Sequence, residues 1–419
     1  MTSMSDTVEL KYGKGSVSLD VPEGSVIATL YPNEVEKAAD EEAEIERAVS
    51  NPIGVPHLEE LARGKKTAVI VVPDISRPIP RPKMLAPILK RLAAAGIPDS
   101  GITLIYGVGT HRTHTEEERV NLVGREIHSR FRCIDHQYTE CVRLGHTSRG
   151  TPVEVSKEYM SAELKMSIGE VELHYFAGYT GGAKAVLPGV SSKESVQENH
   201  KMMIMPGSAS GVAEGNPIRE DMEEAARMAG LDFTLCVVQD ESGKVVRAYA
   251  GDFIKAHRQA AKVVDQAYKV RIPRKADIVL VSSGGYPKDI SLYQAQKAIE
   301  NAKYAVREGG TMVVLAECSE GIGHKVFHEW IDQAEKPQDV IDRLKRQFVF
   351  GGHKAVALAR LVGVAETYLI SAMGQELTEK AFMKHSPSAQ EALDLAIAKH
   401  GPKPSIIVIP LGNTTLPVL

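Results

Sequence analysis

Only four cysteines occur in 419 residues, Cys133, Cys141, Cys236 and Cys318, and no two of them have Cys-x-x-Cys spacing. That scarcity argues against a disulfide framework and against a structural zinc ribbon, and reduced thiols suit a cytoplasmic protein. No apolar run approaches bilayer-spanning length, and the opening Met-Thr-Ser-Met-Ser-Asp-Thr holds neither a basic segment nor an apolar core, so a soluble, unexported chain without a membrane partner is expected. An excess of one charge is also lacking. The formal net charge is −4 and the Lys and Arg residues are dispersed, which leaves no basic face for nucleic acid and points to a small partner. There is no internal repeat and no low-complexity tract. What is present is length: 419 residues exceed one hydrophobic core and predict two domains.

Apolar runs alternate with helical periodicity. Residues 67–72 read as a buried strand, 83–95 as a helix with apolar positions three and four apart, and 102–106 as a strand again, an α/β alternation. Residues 237–240 and 244–248 form an expected hairpin, and 253–268 an amphipathic helix. The basic stretch 269–275 is the expected linker. Beyond it the pattern restarts with a strand at 278–282, a helix over 291–306 stopped by Gly309-Gly310, and strands at 312–316, 368–370 and 406–409. The expected fold class is therefore α/β, two α/β domains with an interdomain cleft. Residues 1–270 make the N-terminal domain and 274–403 the C-terminal one, with 404–419 returning to the first.

Polar clusters follow strand ends, where open α/β sheets bind ligands. Asp74-Ile-Ser-Arg77-Pro follows the strand at 67–72, and Gly107-Val-Gly-Thr-His111-Arg follows that at 102–106; His174 ends another apolar alternation. Taken singly, Asp74 also reads as an Asx turn and Arg77-Pro78 as a surface turn. His111-Arg-Thr-His114 sits on a loop, without the helix spacing of zinc hydrolases. Between Gly178 and Gly189 lies Lys184 in Gly181-Gly182-Ala-Lys184-Ala. Glycines allow close backbone approach to a ligand. A phosphate loop is excluded, since Ala183 stands at its second glycine and Ala185 at its hydroxyl. A tight turn with a solvated lysine and a cofactor loop both remain. In the second half, Tyr293, Gln294 and Lys297 follow Asp289 and Ser291, and capping by either would stack Gln294 and Lys297 at i, i+3 near a helix N-terminus, which suits a carboxylate.

Together Asp74–Pro78, Gly109–Arg112, Leu144–Pro152, Glu172–Lys184, Pro188-Gly189, Asn199-His200 and Tyr293-Gln294-x-x-Lys297 resemble, in order and over most of the chain, the nickel-pincer-dependent lactate racemase family. The resemblance implies a racemase or epimerase that inverts C2 of a 2-hydroxy acid, with nickel held in a pyridinium thioamide/thiocarboxylate mononucleotide covalently linked to Lys184. It further implies His200 as the protein's nickel ligand, Gly181 and Gly182 at the cofactor, and His111 and His174 as the acid/base pair. Asp74, Arg77, Tyr293, Gln294 and Lys297 would serve the substrate, and cofactor maturation enzymes would be partners. Hydride transfer coupled to proton transfer suits this chemistry, because plain deprotonation of C2 would place a second negative charge beside the carboxylate, and histidine titrates near neutral pH in either direction. Lactate, malate, aromatic or longer aliphatic hydroxy acids and sugar acids are all compatible, with Trp330, Phe350 and His353 as candidates for the side-chain wall. Two other readings stand beside this one: a hydrolase with His111, His174 and His200 as plain metal ligands, and a non-catalytic small-acid binding protein.

Overall fold

The computed structural model describes residues 5–419. Two compact units emerge, one of Val35–Gln266 and one that joins the segment up to Glu34 to Ala267–Leu419. Each is built on a six-stranded sheet.

In the Val35–Gln266 unit the strands run in the order Val245–Gly251, Phe233–Gln239, Leu164–Glu170, Ala68–Pro73, Ile102–Gly107, Arg132–Asp135. All neighbours are parallel except the first pair, which is the expected hairpin. Parallel strands are covered on both faces, which is why Ala68–Val72 is uninterruptedly apolar and buried. The chain adds strands outward from Ala68–Pro73 on one side, then returns to place Leu164–Glu170 on the other. Ala68–Pro73 is thus the switch point at which open sheets form a crevice.

The two faces of this sheet differ. Met166, Ile168, Leu235 and Val237 point into the main core against Met84, Leu85, Ile88 and Leu92 of the helix Arg81–Ala94. Alternating with them, Ser167, Gly169, Thr234 and Cys236 present a small-residue surface, tied by a 2.8 Å bond between the Ser167 and Thr234 hydroxyls. Little side-chain volume there lets a loop lie directly on the sheet.

The other unit orders its strands Lys384–His385, Ala365–Ile370, Val306–Leu315, Ala276–Ser282, Ile406–Ile409, Val26–Thr29, all parallel. This corrects the expected domain limits. Ile406–Ile409 stays here instead of returning to the first domain, and the N-terminal segment joins it. Ile406–Ile409 is buried along its length and so needs a neighbour on each side; Ala276–Ser282 supplies one and Val26–Thr29 the other. The hairpin Ser5–Tyr12/Gly15–Pro22 then buries Leu10, Leu19 and Val21 against Ile278, Leu280, Val313 and Leu315.

Two further expectations are corrected. Within the expected linker, Lys269–Arg271 forms a parallel strand with Leu416–Val418. Gly309-Gly310 lies inside a strand rather than ending a helix: the helix stops at Ala302, and the register of Val306–Leu315 against Ala276–Ser282 shifts at this point. Glycine is required there because a Cβ on Gly310 would come within 2.6 Å of Val306 Cγ2 and 2.9 Å of the Asp277 carbonyl. All four cysteines are free thiols. Among the described residues no helix is long and apolar enough to cross a membrane.

Candidate active site

Asp74, His111 and His174 each follow the carboxyl end of one of three adjacent strands at the switch point, Ala68–Pro73, Ile102–Gly107 and Leu164–Glu170. His111 Nδ1 lies 2.6 Å from Asp74 Oδ2, and the other carboxylate oxygen accepts from the Ser76 amide at 3.1 Å. Burial opposes ionisation of Asp74, but the bonds from His111 and Ser76 outweigh it and hold the carboxyl below its ordinary range. An ionised carboxylate only accepts, so His111 carries its proton on Nδ1. Arg77 Nη1 reaches Glu170 at 3.3 Å and Glu172 at 3.1 Å, and these carboxylates keep its guanidinium charged against the cost of burial.

Behind this loop lies Arg81, which the sequence reading passed over. It is 5% exposed and donates to the carbonyls of Pro73, Asp74 and Arg77, clamping the Asp74–Arg77 turn. His114, half of the His-x-x-His, is structural: buried, its Nδ1 pairs with Asp135 and its Nε2 accepts from the Ile75 amide at 3.1 Å.

Lys184 sits in the short helix Gly182–Ala185 that rests on the small-residue face of the sheet. Gly181 and Gly182 have φ of 74° and 59°, and Cβ atoms there would come within 2.6 Å of the Glu170 carbonyl and 3.0 Å of the Phe253 carbonyl. The buried Arg219 binds the loop from below, donating to the carbonyls of Ala177, Tyr179 and Gly181. Burial, then the cations of Arg219 and Arg77, push the Lys184 ammonium well below its usual range. Disfavouring the ammonium in this half-buried position makes the amine a better nucleophile than a solvated lysine. The loop also touches the His111 segment, where the Gly109 amide donates to the Gly189 carbonyl at 2.9 Å.

Gly178, at φ 75°, is the tightest point of this region, since a Cβ there would lie 1.9 Å from the Val212 carbonyl oxygen. Gly178→Ala is expected to cost at least about 2–4 kcal/mol through forced backbone movement and positive-φ strain. Chemical denaturation measures it, and an unchanged midpoint would mean the loop is not so held.

Phe176 gathers the remaining groups. Its buried ring lies 4.4 Å from the His174 ring, 5.1 Å from the His200 ring and 5.8 Å from Lys184 Nζ. In the sequence it was one aromatic in an apolar-looking stretch, without a signal to set it apart. His174 Nδ1 accepts from the Ala177 amide at 3.3 Å, so the neutral ring carries its proton on Nε2, opposite to His111. Enclosure, then the positive charges of Lys184 and Arg77, depress the His174 pKa well below 6.5. His200 is 7% exposed, and its Nδ1 lies 3.0 Å from Asn199 Oδ1.

Among the described residues no group of three or more His, Cys, Asp or Glu side chains is disposed to hold a metal ion. The three-histidine hydrolase centre is therefore not assembled: His111 is engaged by Asp74, while His174 and His200 flank Phe176.

In the other unit, Tyr293, Gln294 and Lys297 occupy the first turns of the helix Leu292–Ala302. Ser291 is its N-cap by position but makes no side-chain cap, and Asp289 accepts instead from the amides of Gly13 and Glu317 at 2.7 and 3.2 Å. Tyr293 stacks on His324 with ring centres 5.0 Å apart. Lys354 Nζ lies 4.4 Å from the Tyr293 ring centre and donates to the Tyr293 carbonyl at 2.9 Å. Burial, then Lys297, bring Lys354 down to about 7. Sequence reasoning missed Lys354 and His324. Trp330, a candidate wall residue, is core at 1% exposure, and His353 is also buried; Phe350 is 39% exposed.

Comparison with known proteins identifies the family and the fold. Residues 12–211 match the family model of the lactate racemase N-terminal domain, and residues 272–416 that of the lactate racemase C-terminal domain. A lactate racemase of Thermoanaerobacterium thermosaccharolyticum is 32% identical over 98% of both chains, and one of Lactiplantibacillus plantarum is 31% identical over 97% of this chain and 98% of its own. The structure of the T. thermosaccharolyticum lactate racemase apoprotein superposes with a TM-score of 0.89 at 30% identity, covering 99% of this chain and all of that one. A Thermotoga maritima protein shares the fold alone, with a TM-score of 0.63 at 19% identity over 92% of this chain and all of its own. With its α/β fold, its two matched domains and relatives aligned from end to end, this chain belongs to the lactate racemase family of isomerases.

Proposed function

We propose that the protein inverts C2 of a small 2-hydroxy acid, lactate first among the candidates, using a nickel-pincer nucleotide tethered to Lys184. The observation that carries this reading is the gathering of Lys184, His174 and His200 around Phe176. The residues fit such a group. A lysine with a depressed pKa can form an amide-like link, Gly181 and Gly182 offer a surface without side chains, and His200 supplies one imidazole to a metal whose other ligands the nucleotide would bring. When bound, such a group would supply a hydride acceptor for the C2 hydrogen, so that no carbanion need form beside the carboxylate.

The chain's own residues handle the proton and the carboxylate. His111, with Nδ1–H held by Asp74, presents Nε2 to take the hydroxyl proton of one stereoisomer, and Asp74 stabilises the imidazolium that results. His174 serves the other stereoisomer, since the hydroxyl points to opposite sides in the two, and to take that proton its ring gives up the Ala177 amide bond, which otherwise occupies the Nδ1 lone pair. Arg77, Gln294 and Lys297 bind the carboxylate and hydroxyl, with Tyr293 beside them.

The test uses protein produced together with cofactor maturation enzymes and nickel. Intact mass should show an adduct on Lys184, and chiral chromatography should show interconversion of lactate or another 2-hydroxy acid in a panel including malate, aromatic and sugar acids. Activity with unmodified Lys184 would end the tethered-cofactor reading. Fully modified protein that inverts none of the panel would end the racemase reading.

A further inference from the structure

Asn199 and Thr147 of the Leu144–Pro152 stretch meet through Asp221 behind His200. Asn199 is fully buried, one residue before His200 in the helix Lys193–Lys201. Its amide nitrogen donates to Asp221 Oδ2 at 2.7 Å and to the Ile218 carbonyl at 3.2 Å, while its oxygen faces His200 Nδ1 at 3.0 Å. Asp221, also fully buried, takes the Thr147 hydroxyl on its other oxygen at 2.5 Å. Thr147 is 4% exposed and is locked by the turn it closes, exchanging bonds with Thr151 at 2.9 and 3.1 Å.

The amide can point only one way. A flipped Asn199 would turn its oxygen toward a carboxylate and a carbonyl, two acceptors, and would lose both donations in a site without water access. With the oxygen fixed toward His200, the ring tautomer that donates to it is Nδ1–H. That tautomer leaves the lone pair on Nε2, the nitrogen through which the ring can ligate.

We infer that Asn199 is a positioning residue which, oriented by Asp221 and Thr147, holds His200 in the Nδ1–H tautomer and so directs its Nε2 lone pair to nickel. The inference rests on the reading of His200 as the nickel ligand; partners of this kind, behind a metal-bound histidine, typically change metal affinity about 10–100-fold.

Two measurements test it on the full chain. In protein made without maturation enzymes and labelled with 15N-histidine, long-range proton–nitrogen correlation should show His200 with Nδ1 protonated, and Asn199→Ala or the gentler Asp221→Asn should shift it toward the Nε2–H form. In matured protein the same substitutions should speed nickel loss to EDTA about 10–100-fold with the Lys184 adduct intact. The double exchange Asn199→Asp/Asp221→Asn restores an acceptor facing His200 and the bond between positions 199 and 221, though not the donation to the Ile218 carbonyl, and should recover most of both readouts. A wild-type His200 in the Nε2–H form, single variants that match wild type, or a folded double exchange that recovers neither readout would each overturn the inference. Wild-type protein without nickel or adduct would instead sink the proposed function, so the two failures are distinguishable.

Discussion

Lys184→Ala is expected to bring interconversion down to the uncatalysed rate, a loss of at least about 10⁶-fold, and to abolish the mass adduct. Lys184→Arg should be equally inactive, because the guanidinium stays charged and cannot act as a neutral amine. This pair separates two roles of the residue: were Lys184 needed only as a positive charge near a substrate carboxylate, the arginine variant would keep much of the activity. Neither loss should come from unfolding. Burial and the neighbouring cations Arg219 and Arg77 already disfavour the Lys184 ammonium, so trimming it to alanine removes an electrostatic penalty. The denaturation midpoint should therefore hold or rise, and a sharp fall would mean that Lys184 is part of the fold rather than a tether.

His111→Ala and His174→Ala should each lower the interconversion rate about 10²–10⁴-fold, the usual worth of a positioned acid/base group, with the Lys184 adduct retained. Wild-type speed in either variant would refute a pair of histidines serving two stereoisomers. The two residues should nevertheless differ in wiring. Asp74 accepts from His111 Nδ1, whereas the Ala177 amide donates to His174 Nδ1. A histidine whose cation is disfavoured on every side stays neutral where an ordinary one is half charged, so 15N titration should find His174 still neutral at pH 6.5. Half-protonation of His174 at that pH would contradict the enclosure that the structure describes. Asp74→Asn, which removes the charge that stabilises a His111 imidazolium, should fall in the same direction with a smaller loss, about 10–100-fold.

Much of this architecture was legible in the chain. Buried parallel strands have to be apolar on both faces, so Ala68–Pro73, Ile102–Gly107 and Ile406–Ile409 stand out as runs, and the loops after the first two hold Asp74, Arg77 and His111 because crevices open at strand ends. The glycine-packed surroundings of Lys184 were conspicuous for a similarly local reason. Other features left no local trace. Val26–Thr29 is short and half-buried, and only the exposed edge of Ile406–Ile409, far along the chain, gives it a place. Gly309-Gly310 reads as a stop, because a bulge and a turn use the same residue for the same backbone freedom.

The site divides along the same line. By itself the sequence determined the family, the α/β class and which ionisable side chains stand in the loops after the strands, since these depend on residue type and order along short loops. Only the tertiary structure decided what state those residues are in. Phe176 between His174, His200 and Lys184, Arg219 under the glycine loop, Asp74 on His111 and the Thr147–Asp221–Asn199 chain behind His200 are contacts that folding makes, several of them across dozens of residues. Which ring nitrogen carries a proton and whether an amine stays charged are set by burial and by the donor or acceptor within about 3 Å, and periodicity and motif spacing carry no information about either.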